Sequence, residues 1–215
     1  MHVQTLVLLV PLNMCTDSNA VFALKSIVTL IAAFCSWAFL WLLIPILRRR
    51  FLDQPNSRSS HSVATPSGGG VVFVFIGTAG SLIHCNGLTA LCLPLALVGI
   101  LDDMLTMPAN LRYGAQVITA VALIIISPLI PWTSNSFSMI LQTCFLLPLL
   151  IITITAVINF TNFMDGIDGL VAGCMFITFF TAAASGIPAL WPLVGALLGF
   201  LGWNWSPAKV FMGDV

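Results

Sequence analysis

Seven acidic residues serve the whole 215-residue chain, all of them aspartate, and five crowd into short polar islands: Asp102-Asp103, Asp165 with Asp168, and Asp214. Gathered carboxylates are hard oxygen donors, which suit Mg²⁺ better than zinc. Asp102 and Asp103 end an apolar run, with Arg112 nine residues after Asp103. Placing such groups beside hydrocarbon costs about 3 kcal/mol each on insertion scales unless a cation offsets it. Adjacent helical side chains diverge around the axis, so one of the pair is expected to meet metal and the other substrate or water. Taken alone, a solvated helix end explains the pair as well.

A second island, Asn159-Phe-Thr-Asn162-Phe-Met-Asp165-Gly-Ile-Asp168-Gly, spaces four polar side chains at i, i+3. A helical stretch there would bring them near one another, and Gly166 and Gly169 would let backbone or ligand approach closely. The pattern lacks the terminal Glu of a Ca²⁺-binding EF-hand loop. Upstream, Asp53-Gln-Pro-Asn-Ser-Arg58-Ser-Ser-His61 leads into Thr65-Pro-Ser-Gly-Gly-Gly70. A glycine-rich helix entry can offer backbone N–H groups to phosphate, with Arg58 and His61 as added donors; a tight solvated loop is the plainer alternative. Pro207-Ala-Lys209-Val-Phe-Met-Gly213-Asp214 supplies a cation for a phosphate and a further carboxylate.

The elements that must position these groups are apolar. Hydrophobic residues make up 59% of the chain, charged ones 7%, and mean hydropathy is +1.08. Soluble domains carry roughly 25% charged residues, so the chain reads as a single all-α integral membrane domain over residues 1–215. Apolar helices are expected at Val21–Leu47, Gly70–Cys85, Leu88–Leu101, Tyr113–Pro131, Met139–Asn159, Leu170–Ser185 and Pro188–Trp203, about seven spans. Several fall short of the ~20 residues that cross a bilayer unaided. With strict alternation, Arg48, Arg49, Arg50, Arg58, Arg112 and Lys209 share one side, leaving Lys25 near the other. Basic loops favour the cytoplasm, so the N-terminus is expected outside, and all five clustered aspartates fall on the cytoplasmic side. Asp102–Arg112 and Asn159–Gly169 are expected to be cytoplasmic loops.

Zero formal net charge gives no electrostatic case for nucleic acid. Six scattered cysteines show neither C-x-x-C nor zinc spacing and read as small apolar packing residues. The apolar run Val3–Met14 lacks the basic flank of a secretory signal; it is expected to be an outer extension, or to precede a start at Met14.

In their order and spacing the islands resemble the polyprenyl-phosphate N-acetylhexosamine 1-phosphate transferase family. The motifs are Asp53-x-Pro-Asn-x-Arg58-x-x-His61, Gly68-Gly69-Gly70, Asp102-Asp103, Asn159-x-x-Asn162-x-x-Asp165-Gly-x-Asp168-Gly-Leu170 and Pro207-Ala-Lys209-x-Phe-Met-Gly213-Asp214. Ser59-Ser-His-Ser-Val-Ala-Thr-Pro66 and Gly213-Asp214-Val215 are most similar to the branch that primes O-antigen and related surface glycans, although Ser67 stands where that branch usually has Arg. The family continues past Gly-Asp into further helices and a His-containing loop. The expectation is therefore an N-terminal portion of the family fold, weak or inactive as this exact polypeptide.

The resemblance implies transfer of a HexNAc 1-phosphate from a UDP-sugar to undecaprenyl phosphate in the bacterial inner membrane, with Mg²⁺, or Mn²⁺ in its place. Its expected partners are undecaprenyl phosphate, a UDP-N-acetylhexosamine and membrane lipid, with a homodimer allowed. Asp102, Asp103 and Asp214 are implied as catalytic, with Asp214 and Asp102 on the metal. Asn159, Asn162, Asp165 and Asp168 would hold the nucleotide sugar or its metal, while Arg58, His61, Arg112 and Lys209 would neutralise phosphates. A covalent aspartyl-phosphate route is a second mechanism. A transporter is the rival class, but such proteins place ionisable sites near the midplane, and Val71–Ile83 and Val117–Ile126 carry no charge.

Overall fold

A computed structural model describes residues 18–53, 64–84, 86–87, 89–105, 107–126 and 141–214. The expected sites Arg58 and His61 lie outside the described residues. The described chain is helical: α1 (Ser18–Arg50), α2 (Gly70–Ile83), α3 (Leu93–Leu105), α4 (Ala109–Ile126), α5 (Leu147–Met164), α6 (Leu170–Ala184) and α7 (Trp191–Asn204). Short 3₁₀ turns at Thr89–Cys92 and Pro188–Leu190 lead into α3 and α7, and a π-turn at Gln142–Leu146 leads into α5. A small antiparallel ribbon pairs β1 (Leu52–Asp53) with β2 (Thr65–Pro66), joining the end of α1 to the start of α2.

Among the described residues three helical stretches are long and apolar enough to cross a membrane: Phe22–Arg49, Ala109–Ile126 and Gln142–Met164. Shorter apolar helices such as α2, at 14 residues, rise only ~21 Å. Large apolar side chains face outward along the long helices, among them Phe22, Trp41, Ile118 and Ile152. That is the inside-out distribution of a membrane protein, whose outer surface is solvated by lipid.

Small residues set the core. A side chain at Gly195 would collide with the Thr29 carbonyl oxygen, and one at Gly199 with that of Ala33; a Cβ at Gly202 would sit 3.4 Å from the Trp37 ring. Contacts that climb in step along both helices mean that α1 and α7 run parallel at backbone contact, as small residues permit in membranes. Gly69, Gly77 and Gly80 of the α2 region meet Phe200, Leu193 and Pro192 in turn, so α2 runs antiparallel to α7. Leu40, Ile44 and Leu47 of α1, Val72 and Phe73 of α2, Val171 and Ala172 of α6, and Ala196, Leu197 and Phe200 of α7 form one buried cluster. Phe73 and Phe200 meet edge to face at 5.3 Å.

Each expected span overlaps a helix, but the ends move. α3 runs on to Leu105 and α4 begins at Ala109, so the Asp102–Arg112 stretch is mostly helix rather than loop. α5 continues to Met164, which puts Asn159 and Asn162 on the helix and leaves only Asp165–Gly169 as a turn. Polar residues in the last turn of an apolar helix read as loop by hydropathy, yet their backbone bonds still close within the helix. Cys35, Cys144 and Cys174 are unpaired and exposed rather than packed inside.

Candidate active site

Asp102 sits in the last turn of α3 and is only 7% exposed. Its Oδ2 accepts a 2.8 Å bond from Arg112 Nη1 at the start of α4, and its Oδ1 accepts the Met107 N–H at 2.7 Å. One carboxylate thus fastens the α3–α4 turn. Arg112 is 44% exposed and reaches the pair from the rim. Asp103, the next residue round the helix, accepts the Asp214 N–H at 3.2 and 3.4 Å through its two oxygens.

Asp214 is carried by a strap that follows α7 and returns across the bundle. Asn204, 3% exposed, donates to the Val210 carbonyl at 3.0 Å and accepts the Gly169 N–H at 3.1 Å. The Phe211 N–H donates to Pro66 O, while the Gly69 and Gly70 N–H groups donate to Phe211 O and Met212 O at 2.9 Å. This corrects the phosphate-cradle expectation for Gly68-Gly69-Gly70: the strap uses the N–H groups of Gly69 and Gly70. The glycines are required because the strap packs on them, with Val210 fully buried against Gly69.

The end of α5 closes the cluster. Asn162 Nδ2 donates to Asp214 Oδ1 at 3.1 Å, and the Asp214 side chain is hydrogen-bonded with Asp102. Asp165 follows in the turn. Burial, then the charges of Asp214 and Asp103, push its carboxyl up to about 7. Burial and the bond with Asp102 likewise raise Asp214 above the usual carboxylate range.

Asp168 is turned elsewhere: its Oδ2 accepts the Ala208 N–H at 3.0 Å, tying the turn to the strap. Asn159 pairs with Gln116 and with the Thr155 carbonyl. Lys209 lies over the Trp203 ring, 5.3 Å from its centroid. Asp102, Arg112, Asn159, Asn162, Asp165 and Asp214 share one cavity of about 580 Å³; Asp168 and Lys209 are not among its lining residues, nor is Asp103. Away from the acids its wall is apolar, with Leu95, Val98, Val171, Met175 and Phe179.

Among the described residues no three His, Cys, Asp or Glu side chains are grouped to hold a metal. Mg²⁺ commonly takes one or two protein carboxylates and completes its octahedron with water and phosphate. Asp102 and Asp214 in contact, with the Asn162 amide beside them, fit that need, because two touching carboxylates require a shared proton or a cation.

A family model for glycosyl transferase family 4 matches residues 85–215, more than half of the chain and every one of the five clustered aspartates. The chain belongs to this family. Relatives include a phospho-N-acetylmuramoyl-pentapeptide-transferase of Synechococcus sp. (strain CC9605), 32% identical over 88% of this chain and 65% of that protein. A probable undecaprenyl-phosphate N-acetylglucosaminyl 1-phosphate transferase of Bacillus subtilis (strain 168) is 28% identical over 80% of this chain and 54% of its own. An undecaprenyl-phosphate alpha-N-acetylglucosaminyl 1-phosphate transferase of Thermotoga maritima is 30% identical over 78% and 52%. The chain thus spans about half to two thirds of the length of these curated relatives.

Within this glycosyl transferase family 4 chain, sequence reasoning passed over Gln116 and Asn204. Each is an amide in or at the end of an apolar helix. The available signal was their cost: a buried carboxamide in a membrane helix needs a partner.

Proposed function

We propose that the protein transfers an N-acetylhexosamine 1-phosphate from a UDP-sugar to undecaprenyl phosphate, at the cytoplasmic face of the bacterial inner membrane, to begin a lipid-linked surface glycan. The observation that carries this reading is the Asp102–Asp214 contact at the polar end of an otherwise apolar cavity. A lipid phosphate and a nucleotide diphosphate both need neutralisation beside hydrocarbon. The names of the relatives support the same chemistry, and Arg48, Arg49, Arg112 and Lys209 near the acid end support the cytoplasmic side.

In this reading a phosphate oxygen of the lipid attacks the phosphorus nearest the sugar. A new P–O bond forms, the bond to the bridging anhydride oxygen breaks, and UMP leaves with that electron pair. Mg²⁺, or Mn²⁺ in its place, would be held by Asp102 and Asp214 and would neutralise the diphosphate. Arg112 stands beside Asp102 and can pass from carboxylate to phosphate. Asn162 and Asp165, beside Asp214 at the end of α5, orient the nucleotide sugar. Asp103 acts through the strap, fixing the Asp214 backbone. The lipid phosphate, with a second pKa near 6, is mostly dianionic at neutral pH, so no strong general base is needed.

The test is a transfer assay. Membranes containing the chain are given undecaprenyl phosphate and a panel of labelled UDP-N-acetylhexosamines, with Mg²⁺ or EDTA. Cation-dependent appearance of label in the lipid fraction, with one UMP per sugar, is expected; its rate tests the expectation of weak activity for this exact polypeptide, and the donor that works assigns the sugar. Solute uptake into vesicles with no lipid-linked product would favour transport.

A further inference from the structure

Four elements meet around the acids in a closed circuit. Asp102–Arg112 joins α3 to α4, Asn162–Asp214 joins α5 to the strap, and Asp214–Asp103 returns the strap to α3. The fourth link, between α4 and α5, is neutral. Asn159 Nδ2 donates to Gln116 Oε1 at 2.8 Å, and Gln116 Nε2 donates back to Asn159 Oδ1 at 3.4 Å. Gln116 lies one turn from Arg112 and is 9% exposed; Asn159 lies one turn from Asn162. The amide pair is therefore the layer of the circuit next to the ionic one, on the same helix faces.

The pair matters because α5 is thinly packed: among the described residues none of its side chains is fully buried and half are exposed. Its partly covered apolar side chains give attraction along α4 but little directional preference. Two carboxamides exchanging bonds across apolar helices give an orientation as well as an attraction, and a slip of one residue would separate them.

We propose that Gln116 is a positioning residue: through its reciprocal bond with Asn159 it holds α5 to α4 and so sets the approach of Asn162 and Asp165 to Asp214. Asn159, expected from sequence to bind substrate, spends its amide on this lock. The structural role stands without the transfer reading; its kinetic consequence rests on that reading.

The test is a distance measurement. Spin labels are placed at the outward positions Ile118 of α4 and Ile152 of α5, with the native cysteines replaced. A narrow distribution is expected for the otherwise native chain, a broadened one for Gln116→Leu and Asn159→Leu, and a narrow one again for the reciprocal Gln116→Asn with Asn159→Gln. Should the Leu variants fail to fold, Gln116→Met against the reciprocal pair makes the same comparison. Unchanged distributions in the single variants, even with lowered thermal stability, would overturn the proposal. In parallel, transfer should fall about tenfold or more in Gln116→Leu and recover in the reciprocal variant. Distance changes in a protein that transfers nothing in any form would reject the transfer reading and keep the lock.

Discussion

Asp214 meets one carboxylate through its side chain and another through its backbone N–H, and each contact predicts a different response. Asp214→Asn removes the cation donor but leaves the backbone bond to Asp103. Transfer should fall by ~10² or more. Thermal stability in EDTA should hold or rise, because the charge that disfavours ionised Asp165 is gone. A lowered midpoint in EDTA would mean that Asp214 is structural. The Asp165 carboxyl, pushed up to about 7, gives a second prediction. In the cation-free protein the folded form binds a proton that the unfolded form has lost between its ordinary carboxylate pKa and about 7. Stability is fully present below that lower value and declines as pH rises through the window. A bound cation reverses the preference, so Mg²⁺ should protect most above pH 7 and progressively less toward pH 6. Melting curves in detergent, with and without Mg²⁺ over that range, check both signs.

At the scale of elements, the strap is the unusual part, since it has no helix or strand of its own and is held by neighbours. Gly213 adopts φ +79°, and a Cβ there would collide with the Asp103 carboxylate and come 2.8 Å from Gly68 N. Gly213→Ala is expected to cost ~100-fold or more in transfer by displacing Asp214, while circular dichroism keeps its helical signature. Near-native turnover would show that the strap can be repositioned without loss. In the α1–α7 seam, Gly199→Leu should destabilise by more than about 3 kcal/mol, because the obstacle is the Ala33 carbonyl rather than a yielding side chain; loss of detergent-soluble folded protein measures it. Much of this scale was legible beforehand. Apolar runs marked every helix, and polar islands marked the acids. What hydropathy misplaced were the helix ends at Leu105 and Met164, where polar side chains ride on continuing helix. The glycine triplet left two readings open for a different reason: its spacing fits an anion cradle as well as a tight helix entry, and only Phe211 and Met212, more than 140 residues away, reveal that the N–H groups already have acceptors. Gln116 was invisible for the same cause, since a lone amide acquires meaning from a partner that sequence does not place.

Across the fold the described helices alternate in direction, so that the ends of α1, α3, α5 and α7 and the starts of α2, α4 and α6 gather at one pole with the acids. Lys25 lies toward the opposite pole, near the start of α1. A cysteine introduced at exposed Asn110 should be labelled only from the cytoplasmic side of intact vesicles, and one at exposed Ser185 only from the other. Labelling of both from one side would break the alternation. That Arg48, Arg49, Arg112 and Lys209 share a side was readable from their places between alternating apolar runs, because that side does not depend on knowing any tertiary contact; which face of the membrane it meets is what the labelling measures.

The parallel seam between α1 and α7 also dictates a schedule. Of the seven described helices α1 is made first and α7 last, yet the Trp203 indole donates to the Trp37 carbonyl across 166 residues of chain. At translation rates of about 5–20 residues per second the first helix waits on the order of ten to thirty seconds for its main neighbour. During that interval its Ala33 and Ser36 notch faces lipid or the insertion machinery, and the nascent bundle is most open to capture by membrane quality control.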